Sequence, residues 1–246
     1  ASAQPVYQPE APADQFYKLK ASGQKEQAAR LLVDAYQASD SKPLLRQMLA
    51  AADTDIAVSF LKQTGFLQDA GVYPIDLGKL PEANAYMLTQ LIDVLKQDKR
   101  FNDGSLVVQA LHLRGAALST PADRNRFIQQ NLLDSPDEAV KLMEKVSNQL
   151  KAAPGQHPLE QKALTQTLRA MKDGDVLNFL RKIGYAESGT EGYTSMNLKA
   201  LAHLPSETLR ALRDNLDEGY SKFWNWNKWD IVKQLDDEIE ARQKPH

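Results

Sequence analysis

The side chains that most often carry chemistry are scattered along this sequence rather than grouped. The four histidines are His112, His157, His203 and His246, and no two of them stand three or four residues apart, as a metal-binding pair on one helix would. Cysteine is absent, which excludes disulfides, thiolate metal sites and a cysteine nucleophile. The sequence therefore predicts no metal site and no cofactor.

Motifs for nucleophilic or nucleotide chemistry are also missing. The sequence contains no Gly-x-Ser-x-Gly turn, no Gly-rich phosphate loop and no Gly-x-Gly-x-x-Gly. Carboxylates stand close together at Asp134 and Asp137 and again at residues 236–238, where helix starts and a solvated helix face account for them. We therefore predict no catalytic residue and favour a protein that is not an enzyme.

One segment leaves an enzymatic alternative open. Glu187 and Glu191 stand near Tyr185 and Tyr193 in a polar, Gly-containing stretch. A glycoside hydrolase needs a carboxylic acid in an aromatic cleft, and this is the segment that comes nearest to that pattern. A glycan-active protein is therefore one alternative function.

Two short strings resemble exported bacterial regulators of host GTPases. Leu113-Arg114-Gly115 is similar to the arginine-finger string of secreted GTPase-activating domains, and the resemblance implies that Arg114 stabilises the transferring phosphoryl group of a partner GTPase. His112 stands where that family has Gly. Trp226-x-x-x-Asp230 resembles the Trp-x-x-x-Glu string of exchange-factor effectors, with Asp in place of Glu. We assign the chain to neither family and keep GTPase regulation as an alternative.

The clearest functional signal is aromatic. All three tryptophans stand between residues 224 and 229, next to Phe223. Tryptophan offers a large rigid surface with one N–H donor, and it is enriched where a partner buries it. Two apolar loops add further aromatic side chains. The candidate partner-binding residues are Tyr73, Tyr193, Phe223, Trp224, Trp226 and Trp229.

The tryptophan cluster has two other interpretations. In the first, the last helix packs across the fold with Trp229, Leu235 and Ile239 on one buried stripe, so that the indole rings are core. In the second, the rings anchor the helix at a membrane surface, although the helix soon turns acidic at residues 236–238.

The elements that carry these residues are helices throughout. From Asp14 onward apolar residues recur at three- and four-residue spacings, and Pro, Gly, Asn and Asp interrupt them at regular intervals. This pattern predicts an all-α array of about 11–12 helices. Lys151 to Pro158, with Pro154-Gly155 at its centre, is the predicted boundary between an N-terminal half, residues 14–150, and a C-terminal half, residues 151–246.

A segment of the first half recurs in the second. Phe60-Leu61-Lys62-x-x-Gly65-Phe66 is matched by Phe179-Leu180-Arg181-x-x-Gly184-Tyr185, and each is followed by a Leu-x-x-Leu-Pro string that ends at Pro81 or Pro205. Each copy reads as a helix that ends at Gly, an irregular loop, and a new helix that begins at Pro. We predict a duplicated helix-loop-helix unit.

The net charge, the lengths of the apolar runs and the first residues bear on the partners and the cellular location of the protein. The 30 basic and 32 acidic residues give a net charge of −2, which offers no field to attract nucleic acid. No apolar run is long enough to predict a transmembrane segment. Residues 1–13 contain Pro5, Pro9 and Pro12 and are predicted to be a disordered leader. A leader left by signal peptidase favours a periplasmic or secreted protein, and an arbitrary start leaves a cytoplasmic one open.

These observations favour a non-enzymatic helical protein that binds a protein partner through its aromatic loops or its Trp-rich last helix.

Overall fold

The computed structural model describes residues 9–38, 40–68, 75–81, 83–189, 192–218 and 226–245. The α-helices of these ranges are α1 (Pro12–Ala21), α2 (Lys25–Gln37), α3 (Lys42–Ala51), α4 (Thr54–Gln63), α5 (Ala85–Lys96), α6 (Leu106–Ala116), α7 (Pro121–Asn131), α8 (Pro136–Ala152), α9 (Pro158–Ala170), α10 (Asp173–Lys182), α11 (Ser206–Glu218) and α12 (Trp226–Gln243). Two strands and two 3₁₀ turns complete the described elements: β1 (Ala186–Gly189), β2 (Gly192–Met196), Leu77–Lys79 and Leu198–Leu201. The predicted all-α fold class is confirmed.

The chain divides into two compact units, Ala1–Leu111 and His112–His246. The dividing point lies within α6, whereas the sequence predicted it between Lys151 and Pro158. That stretch forms a turn with Gly155 at a φ of 76°, and α8 and α9 on either side of it pack together inside the second unit. Pro and Gly therefore mark a reversal of chain direction here, which in sequence looks like a linker.

In the first unit, which also contains the first part of α6, helices α1–α5 pack on one another in a defined set of pairs. Helix α2 packs on α3 and α4, both of these pack on α5, and α1 covers α2 and α3. Their apolar stripes meet in a core of fully buried side chains: Phe16, Leu32, Met48, Ile56, Phe60, Leu61, Leu88, Leu91 and Leu95. Burial of such side chains is the main source of stability for amphipathic helices of this length.

The second unit repeats these pairs with other helices. Helix α8 packs on α9 and α10, both of these pack on α11, and α7 and α12 are added outside the set, on α9 and α11 respectively. The core is again fully buried and apolar: Phe127, Val140, Met143, Leu164, Leu168, Phe179, Leu180, Leu209 and Leu212. The four helices α2–α5 and the four helices α8–α11 therefore share one pairing scheme.

A left-handed glycine ends the third helix of each set of four. Gly65 follows α4 with a φ of 79°, and Gly184 follows α10 with a φ of 81°. The Gly65 N–H donates to the carbonyl of Lys62 and the Gly184 N–H to that of Arg181, both at 3.0 Å. Glycine adopts this backbone region without the steric cost that a Cβ would add, and so it ends both helices as predicted.

The two segments that follow Gly65 and Gly184 have similar backbone hydrogen bonds. The Asp76 N–H donates to the Phe66 carbonyl at 2.9 Å, and the Asn197 N–H donates to the Tyr185 carbonyl at 2.8 Å. Asp76 and Asn197 then cap the following 3₁₀ turn, each accepting the backbone N–H two residues further on, at 3.0 and 3.1 Å. The two segments share their local geometry, while their origin by duplication stays a prediction.

The loops differ in one respect that the sequence did not predict. In the second copy β1 and β2 form an antiparallel hairpin with Ala186 opposite Met196, whereas the described residues of the first loop form a bridge between Leu67 and Ile75. Gly189 and Gly192 stand at the turn end of the hairpin. The longer second loop has room for a ladder, and its four- and five-residue strands are too short to show a clear apolar alternation.

Helix starts also differ from the prediction in detail. Helix α5 begins at Ala85 rather than at Pro81, because the Asn84 side chain accepts the Met87 N–H at 2.9 Å and caps it there. Helix α11 does begin at Ser206, directly after Pro205. Helix α1 begins at Pro12, inside the predicted leader, since proline is well tolerated in the first turn of a helix.

Candidate functional site

For five of the six predicted partner-binding residues the structure does not describe the side chain. Tyr73, Phe223 and Trp224 are outside the described residues, and for Tyr193 in β2 and Trp226 at the start of α12 only the backbone is described. Their part in partner binding stays a prediction. Trp229 is the member of the set whose side chain is described.

Trp229 is 52% exposed on the first turns of α12. The helix buries a different set of side chains, Ile231, Leu235 and Ile239, which follow one another at four-residue intervals. The interpretation that placed Trp229 on one buried stripe with Leu235 and Ile239 is wrong. At about 100° per residue, Trp229 lies about 120° around the helix from Leu235, so a helix that buries Leu235 turns Trp229 outward.

Polar bonds from the buried side of α12 fix its rotation. The Tyr185 hydroxyl donates to Oε1 of Gln234 at 2.9 Å, and Arg213 donates to Asp236 at 2.7 Å. Tyr185 is fully buried, and burial raises the pKa of its phenol, so the hydroxyl stays protonated and able to donate. The exposure of Trp229 follows from these contacts together with the buried stripe.

The end of α12 is held by Arg242. Its guanidinium donates to the carbonyl oxygens of Leu201 and Leu204 and to the carboxylate of Glu238. The Leu201 carbonyl also accepts the Leu204 N–H at 3.0 Å, so the guanidinium adds a second donor to it at the end of the 3₁₀ turn. A charged group that donates to several acceptors in fixed geometry ties α12 to the segment that precedes α11.

Ser147 and His203 form a hydrogen-bonded pair that sequence reasoning missed. The Ser147 Oγ lies 2.8 Å from the His203 Nε2, although 56 residues separate them in sequence. Burial, followed by the nearby positive charge of Lys151, lowers the pKa of His203. A neutral imidazole beside a hydroxyl is the arrangement of a nucleophile and its base. Ser147 is only 1% exposed, however, and a substrate cannot reach a hydroxyl buried inside α8. We interpret the pair as a structural bond between α8 and the turn before α11.

Arg114 lies inside the fold. It is 6% exposed on α6, and His112 on the same helix is also buried, with its ring edge-on to Phe127 at 6.4 Å. An arginine finger has to extend into the nucleotide site of another protein. The burial of Arg114 therefore disfavours the role that the Leu113-Arg114-Gly115 string implied.

Among the described residues, Glu187 and Tyr185 do not form the aromatic cleft that the glycan-active alternative requires. Glu187 is exposed on β1, but Tyr185 two residues earlier is fully buried with its hydroxyl bonded to Gln234. The ring that the sequence placed beside this carboxylate belongs to the core. Glu191 lies outside the described residues.

The described residues form no cluster of metal ligands, and the chain has no match among known proteins. Within the described ranges, no three side chains of His, Asp or Glu lie close enough to hold an ion, and no helix has both the length and the apolar character to cross a membrane. Comparison with protein families, curated proteins and solved structures finds no match to this chain.

Proposed function

We propose that this chain is a non-enzymatic helical interaction protein that binds a protein partner through Trp229 and the start of α12. The observation that carries the proposal is the half-exposed Trp229 ring on a helix whose own apolar stripe is already buried. Exposing a tryptophan is costly in water, and a ring that the fold leaves outside is available for a partner to cover.

The surroundings of Trp229 fit such a surface. Asp230 beside it is exposed, and one turn further along Lys233 pairs with Asp237 at 3.1 Å on the solvent side. Protein interfaces commonly have an aromatic centre within a polar rim that stays in contact with water. The other proposed partner-binding residues of the second unit are Tyr193, Phe223, Trp224 and Trp226, and Tyr73 is a separate candidate in the first unit.

We propose a periplasmic or secreted location for the protein, with a cytoplasmic location as the alternative. Nucleic acid is not proposed as a partner, because 30 basic residues are balanced by 32 acidic ones.

Affinity purification from the source cells with wild type and Trp229→Ala in parallel tests the proposal. We expect the variant to lose a partner that the wild type retains, with a cost of about 2 kcal/mol or more if the ring is a central anchor. Leu106→Ala is the matched control, because Leu106 is a described apolar side chain of similar exposure, 55%, on α6. Retention of the same proteins by all three forms would contradict a role for Trp229.

A further inference from the structure

A groove between α3 and α5 in the first unit combines an apolar floor with positive charge. Its volume is about 310 Å³. The floor is formed by Leu45, Leu49 and Met87, which are almost fully buried, and Tyr86 and the cations Lys42 and Arg46 stand at its edge. Of the described residues that line it, none is acidic. A ligand with one negative charge and an apolar body would match both surfaces.

Arg46 is held in place without using its hydrogen-bond donors. The guanidinium carbon lies 4.0 Å from the centroid of the Tyr86 ring, a cation–π contact across the two helices. Among the described residues Arg46 makes no ion pair and no side-chain hydrogen bond, so its five N–H groups remain available. A planar guanidinium fixed by stacking is well suited to bind a carboxylate through two parallel bonds.

A further donor lies at the same edge. The Oδ1 atom of Asn84 accepts the Met87 N–H at 2.9 Å, which directs its amide nitrogen away from the helix. Lys42, Arg46 and Asn84 thus offer donors around a groove whose described lining contains no carboxylate. This charge complementarity favours an anion over a cationic or neutral ligand.

The size of the groove limits the ligand. A volume of about 310 Å³ is at the lower end of the range for small-molecule sites, about 300–1000 Å³. It suits one large side chain with its adjoining carboxylate, and it is too small for an amphipathic helix. We propose that the α3–α5 groove binds the C-terminal residue of a peptide chain that ends in a large apolar residue, with the α-carboxylate on Arg46 and the side chain on Leu49 and Met87.

Titration of the isotope-labelled full chain with N-acetyl-Phe-Leu, followed by NMR, tests this site. We expect saturable shifts at residues that line the groove. The same peptide with a C-terminal amide, which lacks the charge, should bind about tenfold more weakly or worse. Arg46→Gln should weaken the acid peptide by a similar factor, whereas Arg30→Gln, which changes an exposed arginine on α2, should leave it unchanged.

Four outcomes would overturn the proposal. The first is an amide peptide that binds as tightly as the acid. The second is an Arg46→Gln variant of unchanged affinity and wild-type melting temperature, the third is the absence of a saturable shift at millimolar peptide, and the fourth concerns a small acid. Octanoate serves as the comparison for a free carboxylic acid. If it binds as tightly as the peptide and depends equally on Arg46, the groove is a site for small apolar acids and the peptide assignment is wrong. Because the site does not involve Trp229, these results are independent of the proposed partner surface.

Discussion

The ring of Phe127 lies directly against Gly115: a Cβ added at Gly115 would come within 2.1 Å of the Phe127 Cε1 atom. Helices α6 and α7 approach closely at this point because residue 115 has no side chain. The glycine of the Leu113-Arg114-Gly115 string is therefore explained by packing, as the burial of Arg114 also indicates. No contact with another protein is needed to account for these residues.

Gly115→Ala should destabilise the protein. Alanine is the better helix former by about 1 kcal/mol, but forcing a methyl group into the Phe127 ring costs about 1–3 kcal/mol or more, since the ring is fully buried and cannot move freely. We expect a net loss in the free energy of unfolding, measured by urea denaturation. Gly174→Ala is the matched control on α10, where an added Cβ meets nothing within 4 Å. That variant should gain up to about 1 kcal/mol. Equal stability of the two variants would contradict the close approach of α6 and α7.

Tyr185→Phe should lower stability by about 1 kcal/mol, because it removes the hydroxyl that donates to Gln234 and leaves that buried side of α12 with an unsatisfied acceptor. Tyr17→Phe provides the control, since the Tyr17 hydroxyl is exposed and accepts a long bond of 3.3 Å from Gln47. Its effect should be near zero. Thermal unfolding of both variants beside wild type makes the comparison. A Tyr185→Phe variant as stable as Tyr17→Phe would mean that the bond contributes nothing.

The His203 pair predicts a pH dependence of stability. Burial and Lys151 lower the pKa of His203 in the folded state, so the unfolded chain binds more protons in the range just below its ordinary value of about 6.5. Stability should therefore be fully present above that value and fall as the pH is lowered through it. The difference in unfolding free energy between wild type and His203→Gln, measured at about pH 7.5 and about pH 5.5, isolates this contribution. Gln retains a hydrogen bond to Ser147 but does not titrate. A difference that stays constant across the range would show that His203 keeps its ordinary pKa.

Trp229 and Ile231 should respond in opposite ways to truncation. Trp229→Ala should change the unfolding free energy by less than about 1 kcal/mol, since half of the ring is already in water. Ile231→Ala should cost about 2–4 kcal/mol, because Ile231 is fully buried on the same helix. A second measurement of exposure is iodide quenching of the Trp229 fluorescence. That fluorescence is the part of the wild-type emission that is missing from Trp229→Phe. A large destabilisation by Trp229→Ala would show that the ring is core.

The sequence predicted the helices well because their signals are local. The start of α8 at Pro136 and the ends of α4 and α10 at glycine depend on residues within one turn. Ser135 and Glu138 have the residue types and spacing of a capping box, which marks a helix start at Pro136. The Ser135 side chain nevertheless makes no capping bond, since its backbone lies at a φ of −129° and a ψ of 75°. Position was predictable from residue type, whereas the bond depends on backbone angles.

The candidate sites were less predictable because they depend on contacts between distant segments. Ser147 and His203 meet only after α8 and the turn before α11 have packed. Arg46 and Tyr86 likewise stand on separate helices, and nothing in either local sequence marks them as a pair. For Trp229 the helix was predicted correctly but its buried face was not. Two stripes share Leu235 and Ile239, one with Trp229 and one with Ile231, and the sequence did not show which of them the core would bury.

Through Arg242, the last helix stabilises the segment before α11, which is far from it in sequence. Its bonds to the Leu204 and Leu201 carbonyl oxygens span 38 and 41 residues, and the Leu201 carbonyl accepts the Leu204 N–H as well. A premature stop codon or a protease cut shortly before residue 242 would therefore remove these hydrogen bonds and weaken the packing of the segment before α11, although no residue of that segment is lost. A fusion partner attached by a spacer after residue 243 would leave the Arg242 hydrogen bonds in place.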